Sequence, residues 1–157
     1  VILPGVGAAP EAMRRLRAQD LVEPLRQLQA PLLGICLGMQ LLYEGSEEGD
    51  VECLGLLPGV VRHMRPAQCI RIPHMGWNGL RIMRPSALMD GVPEGASAYF
   101  VHSYAAPVTA DTVAASDHGS LFTAVVQHGR HCGAQFHPER SAATGARILR
   151  NFLEMDF

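Results

Sequence analysis

The chain has 157 residues, a length that fits a single domain over 1–157 and that buries about 70% of the unfolded surface without disulfides. Hydrophobic residues make up 48% of the chain, which is the composition of a globular domain. The net charge is −2, so the chain lacks the positive charge that is typical of nucleic-acid-binding domains. All 13 basic residues are arginines, which excludes a Schiff-base lysine, a pyridoxal-phosphate site and a phosphate loop ending in Gly-Lys.

The cysteines and the hydropathy pattern narrow the class further. No apolar run reaches the roughly 18 residues that a membrane-spanning helix needs. The four cysteines, at 36, 53, 69 and 132, form no CxxC pair, which argues against a zinc ribbon or a thioredoxin-type site. We therefore expect no metal, no cofactor, no membrane contact, free thiols and a cytoplasmic location.

The first third of the chain alternates between strand and helix patterns. Residues 1–3 read as a strand that begins without a lead-in at Val1, so we expect an upstream part of the protein. Residues 8–19 predict a helix, and Asp20 is expected to cap a second one. Residues 31–35 predict a buried strand, followed by a helix over 39–44. This order is typical of a parallel sheet with right-handed crossovers.

The second half predicts short strands separated by Gly and Pro, at 59–64, 79–83, 98–102, 112–115, 121–127 and 132–136. Residues 73–78 are expected to form a loop between two of them. Ser141 is expected to cap a last helix, whose apolar stripe would be Ala142, Ala146, Leu149 and Leu153. The whole pattern predicts a three-layer α/β fold, with a parallel or mixed central sheet, flanking helices and antiparallel strands in the second half.

The sharpest chemical motif is GICLG at 34–38. Glycines two residues before and two after Cys36, between a buried strand and a helix, describe a nucleophile elbow. Such a turn leaves no room for Cβ atoms at the flanking positions, and we expect the helix N-terminus to favour the thiolate. The alternative is a buried structural cysteine, but the other three cysteines lack the glycine pair.

A thiolate nucleophile requires a general base and a group that orients the base. The segment FHPE at 136–139 offers both, directly after a predicted strand. Pro138 disfavours helical backbone at His137, which predicts that His137 and Glu139 lie on one side of an extended segment. The alternative is an ordinary surface His–Glu pair at the end of a strand.

Two further segments combine aromatic and polar residues. PHMGWN at 73–78 contains the single Trp, and YFVHSY at 99–104 contains two of the three Tyr. A large aromatic in a loop framed by Gly and Pro indicates either packing or a partner contact. Ordinary core packing is the alternative for both segments.

These motifs carry a resemblance to a known family. GICLGMQ at 34–40 and FHPE at 136–139 resemble the triad, or class-I, glutamine amidotransferases. PGVG at 4–7, PHMGWN at 73–78 and YFVHSY at 99–104 are similar to the glutaminase subunits of imidazole glycerol phosphate synthase. The five motifs follow the order of that family along the whole chain, and the resemblance implies its flavodoxin-like fold.

The resemblance implies a glutaminase that hydrolyses L-glutamine to glutamate and ammonia through Cys36, His137 and Glu139. The ammonia would pass to a cyclase subunit, the expected partner, which makes imidazole glycerol phosphate and AICAR in histidine biosynthesis. The expected oxyanion donors are the amides of Leu37 and of Val6 or Gly7. The implied substrate-binding residues are Gln40, Glu48, His102, Ser103 and Tyr104. The implied partner-facing residues are Met75, Trp77, Asn78 and Arg140.

The sequence departs from the family pattern at two places. The family has a strand–helix–strand unit upstream of the first strand, and Arg140 stands where a Lys is common. Arg keeps the charge, but its planar fork has different hydrogen-bonding geometry. From the residues alone, two alternatives stay open. The first is a stand-alone cysteine hydrolase or another class-I amidotransferase. The second is a degenerate relative that serves only as a binding module.

Overall fold

The structure is a computed structural model that describes residues 1–65 and 70–156, so the prediction for Cys69 lies outside the described residues. Its helices are α1 (Ala9–Ala18), α2 (Val22–Arg26), α3 (Leu37–Gln40) and α4 (Ala142–Glu154), and 3-10 turns span Ala87–Met89 and Pro138–Arg140. Its strands are β1 (Ile2–Gly5), β2 (Leu32–Cys36), β3 (Tyr43–Ser46), β4 (Val51–Glu52), β5 (Leu57–His63), β6 (His74–Gly79), β7 (Arg81–Ile82), β8 (Ser97–His102), β9 (Tyr104–Ala105), β10 (Thr112–Asp117), β11 (Leu121–His128) and β12 (His131–Ala134). Within the described ranges, no helix is long and apolar enough to cross a bilayer.

A six-stranded mixed sheet in the order β1-β2-β12-β11-β10-β7 organises the fold. β1, β2 and β12 run parallel, with Leu33 of β2 opposite Ile2 on one side and Cys132 on the other. The remaining strands pair antiparallel. Two smaller sheets, β4-β3-β5-β9 and β6-β8, complete the fold. The parallel first half and the antiparallel second half confirm the predicted mixed α/β architecture.

Each face of the large sheet packs its own core, because consecutive strand residues point to opposite faces. Leu33 belongs to the same core as Phe152 of α4. Its neighbour Leu32 belongs to the other core, together with Met13 of α1. Helices therefore cover both faces, and the ends of β2 and β12 lead to Cys36 and to the segment that carries His137.

Asp20 ends the first helix instead of capping the second. Its backbone has φ 52°, its N–H donates to the carbonyl of Arg17 at 3.1 Å, and the N–H of Leu21 donates to the carbonyl of Leu16 at 2.9 Å. These two bonds form a Schellman motif, which closes a helix with a left-handed residue after the C-cap. The predicted Asp20 cap is therefore wrong, and α2 begins after Leu21 without a side-chain cap.

The helix predicted over 39–44 is wrong in both bounds. α3 begins at Leu37 and ends at Gln40, and the chain returns to a strand at Tyr43. Residues 37–43 are buried throughout, so their hydropathy carries no periodicity that separates helix from strand.

The apolar stripe of α4 also differs from the prediction. The buried residues are Gly145, Ile148 and Phe152, whereas Leu153 is 73% exposed and Ala142 has φ 47°. The stripe is shifted because α4 approaches the rest of the protein through a glycine, which a hydropathy pattern does not register as a buried position.

Residues 73–78 do not form the predicted loop. Most of them belong to β6, which pairs antiparallel with β8 along its whole length. Alternation along β6 buries His74 and leaves Met75 and Trp77 exposed by 64% and 56%. Pro73 and Gly76 indicated a turn, but the pairing with β8 overrides that local signal.

Candidate active site

The nucleophile elbow predicted around Cys36 is present in the backbone. Cys36 ends β2, has φ 53°, and is followed at once by α3. A Cβ on Gly34 would lie 2.6 Å from the carbonyl oxygen of Gly38, and a Cβ on Gly38 would overlap the carbonyl oxygen of Leu3. Both flanking positions therefore require glycine, for the steric reason that the sequence motif indicates.

Burial keeps the Cys36 thiol protonated at rest. Burial raises its pKa to about 11, the backbone amide of Leu37 acts in the opposite direction, and the negative charge of Glu139 raises it further. The first amide of α3 therefore favours the thiolate, as expected, but burial outweighs it in this resting site. The reason is that α3 has 4 residues, so its dipole is outweighed by desolvation.

His137 and Glu139 form the predicted pair, with 2.8 Å between His137 Nδ1 and Glu139 Oε1. A 3-10 turn over Pro138–Arg140 brings them together, not the extended segment that was predicted, although His137 itself has extended backbone at φ −95° and ψ 102°. Because a carboxylate accepts hydrogen bonds, Nδ1 donates and Nε2 of the neutral ring is left as the acceptor. The pair therefore fixes the tautomer that a general base needs.

One cavity of about 400 Å³ contains most of the predicted site residues. It is lined by Val6, Gly7, Cys36, Leu37, Gln40, Glu48, Pro73, Val101, His102, Ser103, Tyr104 and His137. Its volume is in the range of small-molecule sites. A neighbouring cavity of about 490 Å³ shares some of these residues but reaches neither Cys36 nor His137, so we place the chemistry in the smaller one.

The residues that the structure describes contain no group of three or more His, Cys, Asp or Glu side chains arranged for a metal ion. The cavity instead offers a thiol, an imidazole, a carboxylate and backbone amides. This set suits nucleophilic attack with proton transfer.

Gln40, predicted to bind substrate, uses its amide nitrogen within the protein. Nε2 donates to the carbonyl of Tyr104 at 2.9 Å and to Oε1 of Gln135 at 3.0 Å. Gln135 is fully buried, and its Nε2 lies 3.9 Å from Cys36 Sγ. Gln40 therefore supports the wall of the cavity through the Tyr104 carbonyl.

Glu48 brings a negative charge to the cavity wall. Its Oε2 accepts a hydrogen bond from the amide of Ala9, the first residue of α1, at 2.7 Å. A carboxylate at a helix N-terminus is stabilised by the helix dipole. Glu48 is therefore held in place beside the cavity, where its charge favours a cationic group of a ligand.

The segment 4–7 lies beside the elbow and ends in an exposed turn. Val6 is 84% exposed, and Gly7 has φ 100°. Among the described residues, the non-glycine residues with positive φ are Asp20, Cys36, Asp50 and Ala142. Val6 therefore keeps an ordinary backbone conformation, and the left-handed one falls on the neighbouring glycine.

An exposed face borders the cavity. Met75 and Trp77 stand out from β6, and the Trp77 ring packs edge-on to Tyr99 of β8 with 5.8 Å between ring centroids. The guanidinium of Arg140 lies 4.5 Å from the centre of the same Tyr99 ring. Asn78, predicted to face a partner, is half-buried, and its amide nitrogen donates to the carbonyl of Asp117 at 2.7 Å.

Two residues that hold the His137 turn, Ser141 and Gly145, were not predicted for that role. Ser141 Oγ does not cap α4; it donates to the His137 carbonyl at 2.6 Å and accepts from the Tyr99 amide at 2.9 Å. Gly145 lets α4 touch the turn, because a Cβ there would overlap the carbonyl oxygen of Pro138. Neither residue has a local sequence signal, since each acts on a segment that precedes its own helix.

Comparison with known proteins shows the family to which the chain belongs. The profile of the family described as glutamine amidotransferase class-I matches residues 1–155. The imidazole glycerol phosphate synthase subunit HisH of Xanthomonas axonopodis pv. citri (strain 306) is 83% identical over 157 residues, which are 100% of this chain and 78% of that protein. The HisH subunit of Xylella fastidiosa (strain Temecula1 / ATCC 700964) is 72% identical over 156 residues, 99% of this chain and 78% of that protein.

A solved structure described as a glutamine amidotransferase has a TM-score of 0.71 at 19% identity. The match covers 98% of this chain and 76% of that chain. At this identity the likeness concerns the fold, and it confirms the predicted architecture.

The contact between α4 and the His137 turn generates a test. Gly145→Ala should lower the free energy of unfolding by about 1–3 kcal/mol, because the new methyl group overlaps the backbone of Pro138. Urea denaturation measures this change. The sign is decisive, since an unhindered Gly→Ala change inside a helix would instead stabilise by about 1 kcal/mol.

Ala146→Ser is the matched control, because Ala146 is exposed at the next position of the same helix. It should change the free energy of unfolding by less than about 0.5 kcal/mol. A stabilised Gly145→Ala variant would mean that α4 does not depend on this close approach.

Proposed function

This chain belongs to the class-I glutamine amidotransferases, among the HisH subunits of imidazole glycerol phosphate synthase, and we propose that its cavity hydrolyses L-glutamine with Cys36, His137 and Glu139. The observation that carries the proposal is the strained elbow of Cys36 in one cavity with a base whose tautomer is fixed. The ammonia released would serve histidine biosynthesis in the cytoplasm, through a cyclase subunit.

The reaction follows from the protonation states of the resting site. Because the thiol is protonated, His137 Nε2 takes its proton as the sulfur attacks the side-chain carboxamide carbon of glutamine. The imidazolium is stabilised by Glu139 and then gives the proton to the leaving nitrogen, which departs as ammonia. Water, with His137 again as base, cleaves the thioester and releases glutamate.

Backbone amides stabilise the oxyanion that forms during attack. The Leu37 amide already bonds the Cys36 sulfur and lies at the start of α3. The second donor would come from Val6 or Gly7, which line the same cavity. Val6 is β-branched and resists a positive φ, so turning its own amide, in the peptide between Gly5 and Val6, toward the oxyanion costs energy. We propose that the resting conformation of segment 4–7 is an off state.

The cavity wall would hold the non-reacting part of glutamine. Glu48 suits the α-ammonium group by charge, and the backbone of residues 102–104 forms the opposing wall. Gln40 would act through the Tyr104 carbonyl to which it donates. These assignments rest on cavity geometry together with the resemblance of YFVHSY to the family motif.

The exposed face of Met75, Trp77 and Arg140 would dock the cyclase subunit. Trp and Met stand clear of the surface on the strand that borders the cavity, and large exposed aromatics are typical of interface centres. Arg140 stacks on Tyr99 at the edge of this face. A docked subunit would cover the cavity and receive ammonia without its loss to solvent.

The nucleophile is tested by replacing each buried cysteine. Cys36→Ala should abolish glutamine hydrolysis, because it removes the thiol that forms the thioester. Cys53→Ala and Cys132→Ala are the controls, since both thiols are buried away from the cavity and should leave most activity. Ammonia and glutamate release measure the effect. Labelling of a different cysteine by a glutamine-like electrophile would overturn the assignment.

The docking face is tested by removing its largest side chain. Trp77→Ala should weaken binding of the cyclase subunit by at least about 2 kcal/mol, roughly thirtyfold in Kd, as expected for a central interface Trp. Leu153→Ala is the matched control, because Leu153 is 73% exposed on α4 and outside the face. Titration calorimetry measures both. Equal affinity of the two variants would place the interface elsewhere.

The proposed off state of segment 4–7 is tested by partner dependence. The isolated chain should hydrolyse glutamine slowly, and adding the cyclase with its own ligand should raise turnover by about 10²–10³, the effect of one oxyanion donor. Val6→Gly should raise the rate of the isolated chain toward the activated rate, because glycine adopts positive φ freely. If the isolated chain hydrolyses glutamine at the same rate with and without the liganded cyclase, Val6 is no switch. That result would also favour a stand-alone hydrolase.

A further inference from the structure

A row of hydrogen-bonded side chains runs from β6 to the cavity wall, and it includes His74, a residue that the mechanism does not use. Asn78 Nδ2 lies 3.3 Å from His74 Nε2, and His74 Nδ1 lies 3.0 Å from His102 Nε2. His102 Nδ1 lies 2.8 Å from the carbonyl oxygen of Tyr104. His74 and His102 are 3% and 6% exposed, so water does not substitute for these bonds.

The chemistry of the two ends fixes the direction of every bond. A carbonyl oxygen accepts, so His102 Nδ1 carries the proton, and Nε2 of the neutral ring must accept from His74 Nδ1. His74 Nε2 then accepts from the Asn78 amide. The orientation of Asn78 is independently set, because its nitrogen donates to the Asp117 carbonyl and its oxygen accepts from the Gly79 amide at 2.8 Å.

The surroundings keep both rings neutral. Burial lowers the pKa of His74 to about 3, with the charges of His102 and His118 acting in the same direction. Burial lowers the pKa of His102 to about 4, partly offset by the Tyr104 carbonyl and reinforced by His118 and His137. His74 also stacks between Phe100 and His118, with ring centroids 4.8 and 4.1 Å away. Neutral rings are what the one-directional bond pattern requires.

The row of bonds ends at the Tyr104 carbonyl oxygen in the cavity wall. The Tyr104 carbonyl receives both the His102 bond and the Gln40 bond, which fills its two lone pairs and fixes residues 102–104 against the cavity. A core that served stability alone would gain as much from packed apolar side chains, whereas fully satisfied polar groups specify one geometry.

We propose that His74 is a positioning residue for glutamine binding, which acts through His102 to hold the 102–104 wall of the cavity in place. This inference rests on the proposed glutaminase function. Because the wall faces the non-reacting part of the substrate, its displacement should raise KM and leave kcat nearly unchanged.

The first test needs no substrate. Nitrogen NMR of the histidine rings in the intact protein at neutral pH should show His74 and His102 as neutral Nδ1–H tautomers. Spectra of His74→Asn and His118→Phe assign the signals. A neutral Nε2–H tautomer, or a charged ring, at either residue would overturn the bond pattern and the proposal with it.

The second test measures glutamine hydrolysis in the complex with the cyclase subunit. His74→Leu removes the donor to His102 and should raise KM about ten- to hundredfold, the effect of one buried group left unpaired. His74→Asn keeps an amide N–H close to the position of Nδ1 and should recover most of the lost affinity. Recovery of KM by Asn would show that the hydrogen bond matters and not the packing, because Asn packs less well than Leu against Phe100.

His118→Phe is the matched control: it keeps the ring stacked on His74 but takes no part in the chain of bonds, so KM should not change. If His74→Leu folds and KM is unchanged, or if kcat falls alone, the positioning role is wrong. If His74→Leu does not fold, the His74→Asn kinetics and the ring tautomers decide. Wild-type protein without glutaminase activity in the complex would instead overturn the proposed function, and the tautomer measurement would still stand by itself.

Discussion

The close contact between α3 and β1 is the constraint from which the rest of the site follows. Because Gly38 has no side chain, the first turn of α3 rests on the carbonyl of Leu3, and this forces Cys36 into its left-handed backbone at the end of β2. The same contact brings segment 4–7 beside the nucleophile. Gly145 makes a similar close contact with Pro138, so two glycine contacts set the positions of Cys36 and of the turn that carries His137.

The buried polar groups around this contact are arranged to carry no charge at rest. Burial raises the pKa of Cys36 and lowers the pKa of His74 and His102, so the thiol and both rings are neutral. In the proposed reaction, charge would develop only during attack, and the Leu37 amide and the His137–Glu139 pair would stabilise it. A site of this kind avoids a permanently reactive thiolate, and it makes activity depend on how well the donors are aligned.

Much of the site could be predicted from sequence because its information is local. The glycine pair around Cys36 fixes its turn within a few residues, and the FHPE segment places His137 only two residues from Glu139. The strand before Cys36 has a short unbroken apolar run. The strand β6 could not be predicted, because its pairing with β8 overrides the turn signals of its own residues. The role of His74 was hidden for the same reason, since its partner His102 lies 28 residues away.

The side chains of β6 alternate between two faces, so one strand carries both the exposed face and part of the buried row of bonds. Met75 and Trp77 point outward to the exposed face, while His74 points inward and belongs to the row of bonds that ends at the Tyr104 carbonyl. A partner that pressed on the exposed face would act on a strand whose other face already supports the substrate wall. Because the rows of bonds and packed rings leave little room for adjustment, a small shift of β6 would be passed to the cavity instead of being absorbed. β6 therefore offers a physical route between the proposed docking face and the cavity that contains Cys36.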